Sequence, residues 1–492
     1  MPSDPMNRIL RFSLYLFFFS LSVLSLKGQS VFIKTFGFGR VNEAYGVIQT
    51  QDLGYAITGS TTGSWNEVPD MYLMKTDSTG SFLWSHLYGG NNIEQCKAFL
   101  KTNDQGFFLV GYTNSFAFNN DYDGYLVRTD SLGNVLWTKS IGTNNWDLIE
   151  SVSKTNNNGF VIAGTSYGTS NGHPTGWIVK MDSSGNTIWQ KLLESQSDIF
   201  LKKIIQSHDG NYVACGYYVD SANSRDQAYA VKLDASTGDT LWTYSYHGPN
   251  GTHFNSVDEF SSGTLGLGGY ELTEADTNRD EFVFSLTASG IKKWEAAFFE
   301  NGKTEGFNHV LIINDTIYNA GSTSTFGSGN QDYHFVRVDS IGLFVNAVNW
   351  GSNDDEICYN FSQTSDTGFV LIGTTRSFGP SFQSIYLVKT DKNLTTTNLV
   401  TIDIPETILD SDVEVFPNPF SNSISVRTPE KWKNSSEIIF NLFSLSGELV
   451  KSIRSKEKNF LISIPEYPSG MYFVQLISSD GNSQSFRMIK QE

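Results

Sequence analysis

Residues 54–84 hold Gly54-Tyr55-Ala56-Ile57-Thr58-Gly59, a polar loop, Met71-Tyr72-Leu73-Met74-Lys75-Thr76, the turn Asp77-Ser78-Thr79-Gly80, and Phe82-Leu83-Trp84. Tyr45-Gly46-Val47-Ile48-Gln49-Thr50 precedes this stretch and Ser85-His86-Leu87-Tyr88 completes it. The result is four short segments rich in aromatic and β-branched residues, bounded by Gly, Asp, Asn and Ser, and such segments read as strands. The unit then recurs. Gly59, Gly111, Gly164, Gly216, Gly268, Gly321 and Gly373 stand 52, 53, 52, 52, 53 and 52 residues apart. A fixed period of this size marks a repeat architecture. Four strands per repeat, arranged radially, make a β-propeller. No long stretch carries a helical period, which argues against a helical solenoid.

Two further features keep the same period. Asp77, Asp130, Asp182, Asp234, Asp339 and Asp391 occupy the turn after the third strand, with Thr287 in the fifth repeat. Asp bonds its own backbone there, and the following Gly supplies positive φ. Trp84, Trp137, Trp189, Trp242 and Trp294 follow in the fourth strand and read as packing between repeats. The seventh copy stops at Asp391-Lys392-Asn393-Leu394, without a fourth strand. Val31–Gly37 is a fourth strand without a third, since Phe32 lies 52 residues before Trp84. Pairing the two fragments closes the ring and removes two open sheet edges. The expected fold class is all-β: a seven-bladed β-propeller over residues 31–395, closed by the N-terminal strand. A linker over 396–412 and a small immunoglobulin-like antiparallel β-sandwich over 413–492 follow.

The first 30 residues read as a secretory signal peptide. Arg8 and Arg11 precede the mostly apolar run Phe12–Leu26, and the small residues Gly28 and Ser30 follow it. The run is too short to span a bilayer, which takes about 20 residues, and no other stretch is apolar enough. Cys96, Cys215 and Cys358 are odd in number and widely spaced, so no disulfide is expected. Residues 31–412 carry 22 basic and 42 acidic side chains, a net of −20. That balance argues against nucleic acid and anionic surfaces as partners. It suits a neutral polymer or a cation.

The C-terminal unit carries a family resemblance. Its motifs are Val415-Phe416-Pro417-Asn418-Pro419-Phe420, Phe443-Ser444-Leu445-Ser446-Gly447-Glu448-Leu449-Val450, Pro468-Ser469-Gly470-Met471-Tyr472-Phe473-Val474 and Phe486-Arg487-Met488-Ile489-Lys490. In order and placement they resemble the type A C-terminal sorting domain of the type IX secretion system of Bacteroidota. Glu448 stands where the family more often has another polar or basic residue. The resemblance implies Pro417, Asn418, Pro419, Gly447, Gly470, Tyr472 and Lys490 as sorting-motif residues. It also implies the type IX machinery and its sorting peptidase as partners, cleavage within the linker, and delivery outside the outer membrane.

Candidate chemistry in the repeats is sparse. Asp234-Ala235-Ser236-Thr237-Gly238-Asp239-Thr240-Leu241-Trp242 resembles the docking motif of quinoprotein propellers, but adjacent cysteines are absent. The histidines lack zinc spacing. Asn119-Asn120-Asp121-Tyr122-Asp123-Gly124 resembles the start of a calcium loop, but Asp130 lies a whole strand away, roughly 20 Å. Calcium therefore remains only as a site built from Asp121 and Asp123 with a neighbouring loop, with Asp70, Asp280 and Asp332 at similar positions. The loops between second and third strands are long and differ between copies, and loops on a rigid scaffold carry function. They and their neighbours supply the expected ligand-binding residues Trp65, Asp70, Phe116, Phe118, Tyr122, Asp123, Trp146, Tyr167, Tyr218, Tyr270, Phe326 and Phe378. Aromatics interleaved with Asp and Asn suit stacking and hydrogen bonding to sugars. The expected function is a secreted or cell-surface, non-catalytic propeller that binds a glycan or a protein. A secreted carbohydrate-active hydrolase or lyase and a structural adhesion component are the alternatives.

Overall fold

Asn42–Gln49, Tyr55–Thr62, Pro69–Thr76 and Phe82–Tyr88 form an antiparallel sheet in chain order. The two middle strands are buried along most of their length, as their unbroken apolar runs require, and the fourth is half exposed. The computed structural model describes residues 30–62, 68–117, 121–169, 172–193, 195, 197–222, 224–248, 250–272, 278–298, 303–397, 400–402, 414–417, 420–428, 432, 436–444, 449–464, 467–479 and 483–491. Within them, five more sheets repeat the first, over 94–141, 147–192, 199–246, 252–298 and 305–350. A seventh joins Glu356–Gln363, Phe369–Thr375 and Ser384–Thr390 to Phe32–Phe36 from the other end of the chain. Phe32–Phe36 pairs antiparallel with Ser384–Thr390, from Phe32 opposite Lys389 to Phe36 opposite Ile385. The segment expected as a linker supplies a fifth strand, Val400–Ile402, parallel to Phe32–Phe36. It covers the edge of the closing strand.

The first strand of each sheet packs on the preceding sheet, and Asn42–Gln49 packs on the seventh, so the sheets form a ring. A hydrophobic cluster fills each seam. Cys96, Cys215 and Cys358 are free thiols buried in these clusters.

The recurring glycine has a steric cause. In every sheet the first strand carries a β-bulge, and the glycine of the second strand lies beside it. A Cβ on Gly59 would sit 1.8 Å from the carbonyl oxygen of Glu43, and one on Gly216 would sit 1.9 Å from that of Phe200. Gly111, Gly164, Gly321 and Gly373 face the same clash with Gln95, Leu148, Gly306 and Ile357. In the fifth sheet the role falls to Gly269, whose Cβ would meet His253 O at 1.8 Å, and not to Gly268. Gly268 pairs with Ser256, one step beyond the bulge, so its place in the period is one residue early.

The tryptophans hold the seams together. A Cβ on Gly133 would meet the Trp84 ring at 2.8 Å, and Gly185, Gly238, Gly290 and Gly342 face Trp137, Trp189, Trp242 and Trp294 in the same way. Each indole lies on the glycine turn of the next sheet. Trp189, Trp242 and Trp294 also donate Nε1–H to the carbonyls of Ala235, Ala288 and Ser340 at 3.1–3.2 Å. Phe32 takes the tryptophan's place at the closure, against Gly80. In the turns themselves Asp77 Oδ1 accepts from the amides of Thr79 and Ser81, and Thr287 Oγ1 accepts from Ile291 N.

The C-terminal unit has a core of its own, which includes Phe420, Trp432, Phe440 and Tyr472. Glu414–Phe416, Ser423–Arg427 and Asn459–Ser463 make one sheet. Leu449–Ser455, Ile438–Ser444, Gly470–Ser478 and Ser483–Lys490 make the other. Leu449–Ser455 is an edge strand, part exposed along its length and carrying Lys451 and Arg454.

Two substitutions in the sixth sheet separate the glycine requirement from helpful flexibility. Gly321→Ala is expected to destabilise the chain by roughly 2–3 kcal/mol through overpacking. Gly306→Ala has nothing nearer than 3.9 Å and is expected to change stability by less than about 0.5 kcal/mol. Paired thermal melts check this.

Candidate functional site

The bulges aim side chains at the ring axis. The pairing register slips between Ala44 and Gly46, and at the equivalent place in each of the other six sheets. The residues left over are Tyr45, Lys97, Glu150, Lys202, Asn255, Asn308 and Tyr359. All seven line one cavity of about 280 Å³. Because every sheet contributes to it, the cavity lies on the axis.

This tier is cross-linked. Lys202 Nζ donates to Glu150 Oε1 at 3.2 Å. Asn255 Nδ2 donates to Phe307 O at 2.9 Å and Asn308 Nδ2 to Cys358 O at 2.8 Å, each reaching the next sheet. The Lys97 ammonium lies 4.4 Å over the Tyr45 ring, and the Tyr45 and Tyr359 rings are 4.8 Å apart. Burial pushes the Glu150 carboxyl up, but Lys202 and Lys97 outweigh it and hold it below its ordinary value. Lys203 is displaced downward by burial, against the pull of Asp258. The axis of this acidic ring therefore carries a local concentration of lysine.

Above the axial tier, ring systems run across the seams. Tyr112 meets Tyr122 at 5.6 Å, Tyr122 meets Trp146 at 5.2 Å, and Trp146 meets Tyr167 at 5.8 Å, all edge to face. Backbone bonds from Asp147 N to Tyr122 O and from Tyr167 N to Trp146 O tie these loops together. Trp146 is 47 % exposed, so an indole that packs on two tyrosines stays half open to solvent. A second series is stacked: Phe200 on Tyr217 at 4.9 Å, Tyr217 on His253 at 3.8 Å, and His253 on Tyr270 at 4.6 Å. The Arg279 guanidinium caps it, 4.4 Å over Tyr270. His253 lies 2.7 Å from Asp226, yet burial dominates and lowers its pKa, which favours the neutral ring.

Of the expected residues, Tyr122, Trp146 and Tyr167 come together, and Tyr270 joins the stacked series. Tyr218 lies apart, with Tyr229 in an open groove of about 820 Å³ between the third and fourth sheets. Phe116 leans on Tyr125 at 5.4 Å and is 48 % exposed. Phe378 stacks on Tyr386 at 5.7 Å and belongs to a seam core, so it acts as a loop anchor. Phe326 lies 5.8 Å from His334, beside a cavity between the fifth and sixth sheets. Trp65 and Phe118 lie outside the described residues. Asp70 and Asp123 lie beside acids of the next sheet. Asp70 Oδ1 and Glu94 Oε2 flank Gly89, and Asp123 Oδ1 and Asp147 Oδ2 flank Gly142. Burial, then Glu94, pushes Asp70 up to about 6. Among the described residues no group of three or more His, Cys, Asp or Glu is placed to hold a metal ion. Tyr112, Tyr217 and His253, which lie inside strands, are not among the expected residues. Their signal is present in the sequence: Tyr112 and Tyr217 directly follow the recurring glycine.

Among the sorting-motif residues, Lys490 is buried and donates to Ser421 O, and Tyr472 donates to Pro468 O at 2.7 Å. Phe420 N donates to Ile489 O at 2.8 Å, which ties the opening motif to the last strand. Gly470 begins a strand and Pro417 is exposed. Asn418, Pro419 and Gly447 lie outside the described residues.

The ring of four-stranded sheets is that of a β-propeller, joined to a smaller two-sheet unit. Residues 414–491 match the family described as the secretion system C-terminal sorting domain. The tail marks the chain for export by the type IX machinery across the outer membrane, to the cell surface or beyond. No helix of the described residues is long and apolar enough to cross a membrane. No curated protein matches the chain. Among solved structures it is similar to the extracellular domain of BT4673 from B. thetaiotaomicron, at 13 % identity and a TM-score of 0.45, over 92 % of this chain and 57 % of that one. It is similar to PorZ, a surface component of the type IX system of Porphyromonas gingivalis, at 11 % identity and 0.42, over 91 % and 59 %. The β-propeller domain of the Trilobed protease from Pyrococcus furiosus aligns at 11 % identity and 0.43, over 73 % and 97 %. The chain thus spans less than two thirds of the first two.

Asp70 gives a pH signature. Its carboxyl is raised from 3.8 to about 6. Stability from this group is full below its ordinary value and is lost as pH rises through 6. Asp70→Asn is therefore expected to leave stability unchanged near pH 4 and to raise it by about 1–2 kcal/mol near pH 7.5, after allowance for partial exposure. Melting curves at the two pH values check the sign.

Proposed function

We propose that the chain is a secreted or surface-displayed binding protein: a seven-bladed propeller over residues 31–395, exported through its sorting domain over 413–492. It holds a polymer across the long-loop face. The favoured ligand is a glycan. The observation that carries this reading is Trp146, an exposed indole fixed between Tyr122 and Tyr167. An aromatic that is immobilised before the ligand arrives loses little entropy on binding, and its exposed half offers apolar area to a sugar ring. The axial lysines below supply donors, so acidic or strongly hydroxylated units fit better than apolar ones. The one acid lining the axial cavity supports binding over turnover. Glu150 is paired with Lys202, which leaves it a poor proton donor at neutral pH.

The test is a panel of soluble polysaccharides against the full secreted chain, with reducing ends assayed alongside binding. Binding without new reducing ends is expected. Trp146→Ala is expected to weaken binding at least about tenfold, as removal of a central aromatic does, with melting temperature unchanged. Release of new ends would move the protein to the carbohydrate-active enzymes. Binding indifferent to Trp146 would overturn the placement of the site.

A further inference from the structure

One seam departs from the repeat in a way that packing does not require. In six sheets the cross-strand partner of the bulge-facing glycine is aromatic: Tyr72, Tyr125, Trp177, Tyr229, Phe282 and Tyr386. In the sixth it is His334, opposite Gly321. One residue earlier in the third strand, the other sheets have Met71, Gly124, Gly176, Ala228, Tyr333 and Ile385, whereas the fifth has Glu281. The two departures face each other. Glu281 is 1 % exposed and His334 4 %. Their Oε2 and Nε2 are 3.3 Å apart, an ion-pair distance, yet neither Glu281 oxygen accepts an aligned hydrogen bond.

Both side chains line a cavity of about 650 Å³ between the fifth and sixth sheets. Phe298, Phe326 and Phe344 form apolar walls, and Glu305 and Asn346 add further acceptors. Asn346 Oδ1 is buried and, like Glu281, accepts no bond. His334 Nδ1 is engaged by Asn349 at 2.5 Å. Buried acceptors normally find a donor, and a buried carboxylate without one destabilises the fold. Burial lowers the His334 pKa, but Glu281 outweighs it and holds it above its ordinary value, so His334 supplies one counter-charge. Glu281 Oε1 and Asn346 Oδ1 still have no donor within the fold.

We propose that this cavity is a binding site for a small organic cation, a primary ammonium on an apolar and preferably aromatic body. The ammonium, with three donors, would lie between Glu281 and Asn346 Oδ1. The body would lie against the phenylalanine rings, which also favour the cation through their faces. This site is separate from the glycan face and does not depend on it. A pH dependence follows. Burial pushes Glu281 up to about 7 against the pull of His334, and Glu305 adds to it. Burial, then Glu305, pushes the neighbouring Asp280 up to about 6. The site gains negative charge between pH 6 and 8, where an alkylammonium stays protonated.

Isothermal titration of the full secreted chain with phenethylammonium, phenethyl alcohol and methylammonium tests the proposal. Phenethylammonium is expected to bind saturably, at least about tenfold tighter than either control, and tighter at pH 8 than at pH 6. Glu281→Ala places the residue of the fourth sheet at this position. It is expected to abolish the preference for the amine over the alcohol. Glu281→Gln provides the same readout with less change in volume. Equal affinity for the alcohol, equal affinity for methylammonium, no saturable binding, or an amine preference that survives in Glu281→Gln would each overturn it.

Discussion

The close approach of a bulged inner strand to a glycine on its neighbour sets the rest of this structure. A bulge places two residues opposite one and turns the strand. The turned carbonyl then occupies the space a Cβ would need, which is why the second strand carries glycine at that point in every sheet. The same bulge releases one side chain per sheet toward the axis. A constraint on backbone packing is therefore also what builds the axial tier of Tyr45, Lys97, Glu150, Lys202, Asn255, Asn308 and Tyr359. Scaffold and axial cavity are one device repeated around a ring.

With the scaffold repeated, chemistry resides in what is not repeated. The axial tier has the same backbone in each sheet and a different mix of charge and ring from sheet to sheet. The loops between second and third strands add Tyr122, and the loops between sheets add Trp146. The seam of Glu281 and His334 is the sharpest departure, because both positions are buried and apolar or aromatic elsewhere. A buried polar pair that replaces a working hydrophobic contact weakens the fold, and such local conflict is where function is to be sought.

Much of the fold was legible in the sequence because its causes are local and periodic. Glycine, the Asp turn and the indole each answer one steric or hydrogen-bonding need that returns every repeat. The incomplete seventh copy and the orphan strand at Phe32 pointed to closure for the same reason, and Phe32 packs on Gly80 as the tryptophans pack on their turns. What was not legible has no residue code. A bulge accepts tyrosine, lysine, glutamate or asparagine alike, so the axial residues carried no common letter. Gly268 and Gly269 are adjacent, and the period alone chose the wrong one. The candidate site was half visible: loop aromatics such as Tyr122, Trp146 and Tyr167 converge. Phe378 instead anchors its own loop, and Asp70 and Asp123 face other acids. The net charge of −20 concealed the lysines on the axis, because a sum over the chain has no radial coordinate.

The claim on which the account rests is that the sheets form one closed ring, with Phe32–Phe36 as a full member of the seventh. Native-state hydrogen exchange of the full chain tests it most directly. Amides of Phe32–Phe36 and of their partners over 385–389 are expected to exchange as slowly as those of the middle strands of the other sheets, in a single cooperative unit. Rapid exchange of Phe32–Phe36 while the remaining sheets stay protected would show an open ring and contradict the account.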